Sequence, residues 1–341
     1  MLYIESDRRD AAYYFALEEF LLKHAALQQA VVLVWQTDPC VMIGRYQIAD
    51  REIDRARADA QEVGIVRRPS GGGAIYTDEG TFLVSLLLPA SANLESVGSS
   101  LQKEARARFA KLIIENLAQR NIPLRLEGRN DLLLEGKKVS GIAQHSKGGA
   151  CCTHGSLLFD TNLDALAAVL RVDDEKFRTK AVKSIRARVG NIKEYAAQES
   201  LNVEDSAEDF ANIFKRDLYA ELKAKQHTLS AEDLAGIEKI YKEKYANPTW
   251  TFRSAPKFDI SASKRFPAGR LEVYLKVNKG IVNDCVILGD FLGSASLSEF
   301  EANLQGLAYC RSEFARLLEQ MDLDSLLGGI STEEFLDCVF D

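Results

Sequence analysis

The sequence is poor in histidine: His24, His145, His154 and His227 are all it has, with no HExxH pair and no cluster. A histidine-based metal centre has little to build on here. The six cysteines, Cys40, Cys151, Cys152, Cys285, Cys310 and Cys338, include no CxxC pair. Zinc-ribbon and thioredoxin-type chemistry are therefore unsupported, and reduced thiols of a cytoplasmic protein are expected. Apolar runs such as residues 82–90 fall far short of the ~20 residues a membrane span needs. The first ten residues are mostly polar and acidic, without the basic start and apolar core of a signal peptide. Basic residues are not in excess: 43 Lys and Arg face 50 Asp and Glu, a formal net charge of −7. That balance speaks against a dedicated nucleic-acid binder. No internal repeat or low-complexity tract is present.

What remains is a chain of 341 residues with 46% hydrophobic and 27% charged positions, globular in composition and long enough for roughly two domains. Periodicity predicts helices over 11–28, 95–120, 163–171 and 204–223. Strands are expected at 31–35, 40–44, 64–67, 74–76, 81–88, 124–126, 131–134, 138–143 and 154–159. Glu135-Gly136 reads as a hairpin turn. The charged segment 174–191 lacks periodicity and reads as a loop. A boundary is expected near Ala246-Asn247-Pro248-Thr249. Beyond it, strands 271–277 and 281–288 flank the turn Asn278-Lys279-Gly280, and helices follow at about 296–320 and 332–340. The fold class is α/β (α+β), with a mixed-sheet domain over 1–245 and a smaller α+β domain over 246–341.

Two segments carry chemistry. In Arg67-Arg68-Pro69-Ser70-Gly71-Gly72-Gly73-Ala74, three glycines open backbone conformations closed to other residues and let a ligand approach the main chain. Amides of such a loop can cradle an anion, and two arginines add charge-assisted donors. The same pattern also fits a hairpin loop with solvated arginines. No Gly-Lys-Ser/Thr follows, so it is not a Walker A loop. The second segment runs Gly128-Arg129-Asn130-Asp131, then Gly136-Lys137-Lys138-Val139-Ser140-Gly141-Ile142-Ala143. A strand–turn–strand there projects Lys138, a compact cation suited to a carboxylate or phosphate, toward Asn130 and Asp131.

Together the segments resemble the signature of lipoate–protein ligases, RRxSGGGxVxHDxGN followed by GRNDLxxxGKKxSGxA. Further resemblance lies in Ala16-Leu17-Glu18-Glu19, Ile43-Gly44-Arg45-Tyr46-Gln47 and His154-Gly155-Ser156-Leu157-Leu158. It continues through Lys180 and Ser184 to Val189, and to Trp250, Pro256, Phe258, Gly280 and Gly289-Asp290-Phe291-Leu292-Gly293. The resemblance implies a biotin/lipoate-ligase-like catalytic domain with a C-terminal accessory domain. It also implies a two-step reaction: lipoate and Mg-ATP give lipoyl-AMP, and the acyl group then passes to a lysine. The acceptors would be lipoyl domains of 2-oxoacid dehydrogenases or the glycine cleavage H protein. By the same resemblance Lys138 is the central catalytic residue, touching both the carboxylate and the α-phosphate. Arg68, Ser70, Gly71, Gly72 and Gly73 would line the acyl channel. Asn130 and Asp131 would serve the phosphates and Mg2+, with Asp131 as the metal ligand. Tyr76, Ser140, Gly141, Ala143, His154 and Gly155 complete the expected binding set. Lys180 and Arg186 would close over the adenylate and exclude water, and Lys183 or Arg186 would steer an acidic acceptor.

The chain departs from the pattern in places. Tyr14-Phe15 replaces Asn-Leu, Ile48 replaces Asn, and Thr77-Asp78-Glu79-Gly80-Thr81 replaces His-Asp-x-Gly-Asn. Cys151 lies three residues before a His-Gly pair, the spacing of a catalytic cysteine in octanoyl transferases of the same superfamily, so an ATP-independent acyl-thioester route stands as an alternative. A non-catalytic lipoyl binder is a second alternative. Biotin ligases share the adenylate chemistry, but their loop reads Gly-Arg-Gly-Arg. Bases are segregated: Arg67, Arg68, Arg129, Lys137, Lys138, Lys180, Lys183, Arg186 and Arg188 fall in the motif segments, while only Arg311 and Arg316 follow Lys279.

Overall fold

The strand Thr81–Leu88 is buried along its whole length, as a continuous apolar run in the middle of a covered sheet should be. The computed structural model describes residues 1–23, 29–89, 101–171, 183–184, 186–252 and 258–340. Strands are numbered in chain order: β1 Leu2–Tyr3, β2 Val31–Trp35, β3 Cys40–Ile43, β4 Gly64–Arg67, β5 Ile75–Thr77, β6 Thr81–Leu88 and β7 Arg125–Glu127. Next come β8 Asp131–Leu134, β9 Lys137–Lys147, β10 Ala150–Leu158, β11 Lys225–Gln226, β12 Ile260–Phe266, β13 Gly269–Asn278 and β14 Ile281–Gly289. Eight of them form a mixed sheet in the order β11-β1-β2-β6-β10-β9-β8-β7. A mixed α/β body followed by a smaller C-terminal α+β part is the architecture the sequence leads one to expect.

Alternation along β6 sorts the core into two layers. Phe82, Val84, Leu86 and Leu88 pack with helices Leu101–Ala118 and Ala207–Glu221. Leu83 and Leu87 pack with helix Ala11–Lys23 on the other side. In β10 the same alternation sends Cys151 to the first layer and Cys152 to the second.

A three-stranded sheet, β4-β3-β5, carries the glycine loop between β4 and β5. Helix Pro248–Thr251 packs on it, because the buried Arg67 donates to the carbonyls of Trp250 and Thr251 at 2.8 and 2.7 Å. The same guanidinium reaches the carbonyls of Gly44 and Gln47 at 2.9 and 2.5 Å.

The last sheet, β12-β13-β14, forms its own core with the C-terminal helices, joined by Tyr46 from the first part. Tyr46 stacks on Phe291 with ring centroids 5.2 Å apart. The single helix expected over 296–320 is two, Ser298–Leu304 and Arg311–Leu318. Gly306 between them takes a φ of +86°, a left-handed conformation that ends a helix. Strand β12 and the helices Arg55–Ala60, Ile192–Gln198 and Ala231–Ile240 are elements that periodicity did not mark.

Candidate active site

The hairpin β8–β9 positions the central lysine. Glu135 and Gly136 turn the chain with φ of 48° and 81°, the doubly positive turn that suits a tight hairpin. Asp131 then pairs with Gly141 and Leu132 with Ser140, but Leu133 pairs with Lys138 rather than Val139. This bulge turns Val139 into the core and brings Lys138 to the face of Asp131. Re-aiming a side chain in this way is a regular use of bulges. Lys138 Nζ stands 2.8 Å from Asp131 Oδ1, yet that buried oxygen has no well-directed hydrogen bond. The pair is a charge contact with acceptor capacity to spare. Gly141 is needed beside it, since a Cβ there would lie 3.0 Å from Lys138 Nζ.

Lys138 borders two cavities. One, of about 80 Å³, is lined by Phe15, Met42, Leu83 and Ile142, by Arg68, Gly72 and Gly73 of the loop, and by Asn130, Gly141, Ala143, His154, Gly155 and Leu292. The other, of about 170 Å³, is lined by Tyr76, Ser140, Gly141, Ser156, Thr161, Asn162, Leu163 and Val189. Ser140 Oγ is buried and has no hydrogen-bond partner among the described residues. The segment leading to Val189 docks on the lysine itself: Val189 bridges to Lys138, and Gly190 N–H donates to its carbonyl at 3.0 Å.

The glycine loop is held from several sides. Arg68 is buried and donates to the carbonyls of Met42, Gly71 and Gly73 at 2.6, 2.8 and 2.6 Å. Among the described residues no carboxylate pairs with it, and burial pulls its pKa down to about 10. Gly72, with a φ of +92°, donates its N–H to the carbonyl of Phe291 at 2.9 Å, and Leu292 packs where its Cβ would be. Gly71 lies against the same C-terminal segment. Ser70 is fully buried, and its Oγ meets His154 Nε2 at 2.7 Å.

Arg186 and Arg129 stand apart from this assembly. Arg186 is exposed and engaged by Asp164, with Nε 2.7 Å from Oδ1. Lys180 lies outside the described residues, as do Pro256 and Ile185. Arg129 reaches Asp324 of the C-terminal part at 2.7 Å.

Sequence reasoning gave no role to Glu18, although its place in an otherwise apolar helix face was a visible signal. Glu18 is wholly buried, receives Ser85 Oγ at 2.7 Å, and contacts His154 Nδ1 at 3.0 Å and His145 Nε2 at 3.2 Å. The two imidazoles hold its carboxyl well below the usual range against the cost of burial. The departures from the motif pattern are accommodated locally. Tyr14 stacks on Trp35 and donates to the carbonyl of Ser6. Thr77 pairs with Thr37 at 2.8 Å, Thr81 pairs with Thr161 at 2.7 Å, and Ile48 packs on Tyr274 and Leu288.

Cys151 is a poor nucleophile in this setting. It has no exposed surface, and burial raises its thiol pKa to about 11. At neutral pH the thiolate that a transferase needs is scarce.

Residues 10–215 match the family described as the lipoyl protein ligase A/B catalytic domain, and residues 255–339 match the bacterial lipoate protein ligase C-terminus. The chain is 34% identical over 341 residues to lipoate-protein ligase LplJ of Bacillus subtilis, covering 100% of both. It is 28% identical to lipoate–protein ligase 2 of Staphylococcus aureus, covering 97% of this chain and 95% of the relative. Among solved structures, P. falciparum LipL1 in complex with lipoate superposes with a TM-score of 0.74 at 18% identity, covering 98% of this chain and 97% of that one. A lipoate-protein ligase A bound with ATP gives a TM-score of 0.59 at 21% identity over 74% of this chain and 97% of that one.

Proposed function

The chain belongs to the lipoate–protein ligase family, and from that premise we propose how it activates lipoate with ATP and passes the acyl group to a protein lysine. The observation that carries this reading is the place of Lys138, on the wall of both cavities.

In the first step a lipoate carboxylate oxygen attacks the α-phosphorus of ATP. Pyrophosphate leaves and lipoyl-AMP forms. Two anions must meet, so neutralising the developing charge is the main catalytic need. The cavity with Phe15, Met42, Leu83 and Ile142 suits a saturated acyl chain, and the cavity with Tyr76, Ser140 and Thr161 suits the nucleotide. Lys138 then faces both reacting groups. Arg68, a buried cation held by the carbonyls of Met42, Gly71 and Gly73, gives the carboxylate end a positive field. Asn130 lines the acyl side. In the second step the acceptor amine attacks the acyl carbon and AMP leaves. Docking of the Val189 segment on Lys138 supports a water-excluding cover for the adenylate.

Mg2+ fits this donor set: Asp131 has a buried oxygen with unused acceptor capacity, and Mg2+ is commonly bound by one or two carboxylates plus substrate phosphates. Asp131 would hold the ion, which would supply charge neutralisation at the phosphates. The acceptors in this reading are lipoyl domains of 2-oxoacid dehydrogenases or the glycine cleavage H protein. A relevant neighbour is described as a bi-partite lipoate protein ligase and its E2 lipoyl domain from Thermoplasma acidophilum. In this reading the reaction runs in the cytoplasm, where ATP is supplied; no described helix is long and apolar enough to cross a membrane. The sequence reading divides the chain into a catalytic part, 1–245, and an accessory part, 246–341; because Pro248–Thr251 packs on β4, we draw the division just after that helix instead.

Incubation with lipoate, ATP and a lipoyl domain, followed by intact-mass analysis, tests the reading. AMP and pyrophosphate should form with acylation of one acceptor lysine. Transfer that proceeds without ATP would contradict it.

A further inference from the structure

Three side chains converge on the Glu18 carboxylate. His154 Nδ1 lies 3.0 Å from it, His145 Nε2 lies 3.2 Å from it, and Cys152 joins them. The four donor atoms lie within 4.8 Å of one another, and all four residues are buried. In the linear sequence the histidines show no metal-site spacing. The hairpin changes that: β9 and β10 pair Cys152 with His145, and alternation along a strand puts His154 on the same face as Cys152. Helix Ala11–Lys23 covers that face and contributes Glu18.

Two features distinguish this cluster from an ordinary buried hydrogen-bond network. The first is its donor chemistry. Two imidazoles, a thiol and a carboxylate are the ligand types zinc takes, four at a time, in structural sites. A divalent cation with one thiolate, one carboxylate and two neutral imidazoles leaves the buried cluster without net charge. The second is the surrounding shell. His154 Nε2 meets Ser70 Oγ at 2.7 Å. Ser85 Oγ donates to Glu18 Oε1 at 2.7 Å and itself accepts from Trp35 Nε1 at 3.0 Å. Ligating groups are typically oriented by such outer partners.

We propose that Glu18, His145, Cys152 and His154 form a four-coordinate structural site for a zinc-class divalent cation beside the acyl cavity. The ion takes one bond from each residue. The Cys152 thiol proton and any proton shared between Glu18 and the imidazoles pass to solvent, and nothing is oxidised or reduced. The ion would fix His154 and, through Ser70, the base of the glycine loop. This inference rests on the cluster alone and stands apart from the ligase reading.

The full-length protein, stripped with a chelator and dialysed, is titrated with Zn2+ and separately with Co2+. One equivalent of metal should be retained per chain, and cobalt should show a sulfur-to-metal charge-transfer band in the near ultraviolet. Cys152→Ser should remove that band. Cys151→Ser, whose thiol faces the opposite layer, should keep the band and the stoichiometry. Ser70→Ala should weaken binding by roughly 10–100-fold, the usual loss for an outer-shell partner. If Cys152→Ser fails to fold, His145→Gln carries the test and should weaken binding at least as much. No retained metal in the unsubstituted protein would overturn the proposal. So would an unchanged band in Cys152→Ser, or unchanged affinity in His145→Gln.

Discussion

Lys138 Nζ and Asp131 Oδ1 lie 2.8 Å apart across a β-bulge, so the cation at the junction of the two cavities is held by one carboxylate. Without the bulge Val139 would oppose Leu133 and Lys138 would point away. The contact keeps the ammonium extended over Gly141 and leaves it able to exchange Asp131 for an incoming anion.

The space over Gly141 is therefore a direct probe of lysine placement. Gly141→Ala puts a Cβ 3.0 Å from Lys138 Nζ and should displace the side chain. Adenylate formation should fall by up to about 10²-fold, the scale of loss for a small misplacement, while the melting temperature changes little. Unchanged single-turnover adenylation would show that the lysine's position is not critical.

Arg67 should matter for stability rather than for chemistry. It satisfies the carbonyls of Gly44, Gln47, Trp250 and Thr251, which a lysine cannot reach together. Each orphaned buried acceptor costs about 1–3 kcal/mol, so Arg67→Lys should lower the urea midpoint sharply. A midpoint within error of the parent would refute the clamp.

Cys151→Ala should retain full ATP-dependent transfer, because the thiol is buried and protonated at neutral pH. Loss of transfer in this variant, with folding intact by circular dichroism, would reopen the thioester route.

The contact between Arg129 and Asp324 ties the β7–β8 turn to the C-terminal part at 2.7 Å. A double-mutant cycle of Arg129→Ala and Asp324→Ala should give a coupling of about 0.2–1 kcal/mol, typical of a partly exposed pair. Strict additivity would show that this contact contributes nothing to joining the two parts.

Much of the site could be read from linear motifs. The Glu135-Gly136 turn, Lys138 and Asp131 all follow from local patterns, and the order of the two segments anticipated their meeting. What escaped depended on pairing between distant strands. The bulge at Val139 leaves no mark in composition. The two arginines before the glycines look alike in sequence, yet Arg67 braces the helix at 248–251 while Arg68 braces the loop. Ser70 reads as a channel residue but bonds to His154 on β10 of the other sheet. The gathering of Glu18, His145, Cys152 and His154 requires the β9–β10 register, which no spacing rule supplies.

The central claim is tested most directly by lipoate-dependent exchange of pyrophosphate into ATP, which reports the first step without any acceptor. The unsubstituted protein should catalyse it, and Lys138→Ala should lose on the order of 10²–10³-fold or more, as expected when a principal charge-stabilising donor is removed. Exchange that is absent in the unsubstituted protein, or that survives in Lys138→Ala at the parental rate, would contradict the account.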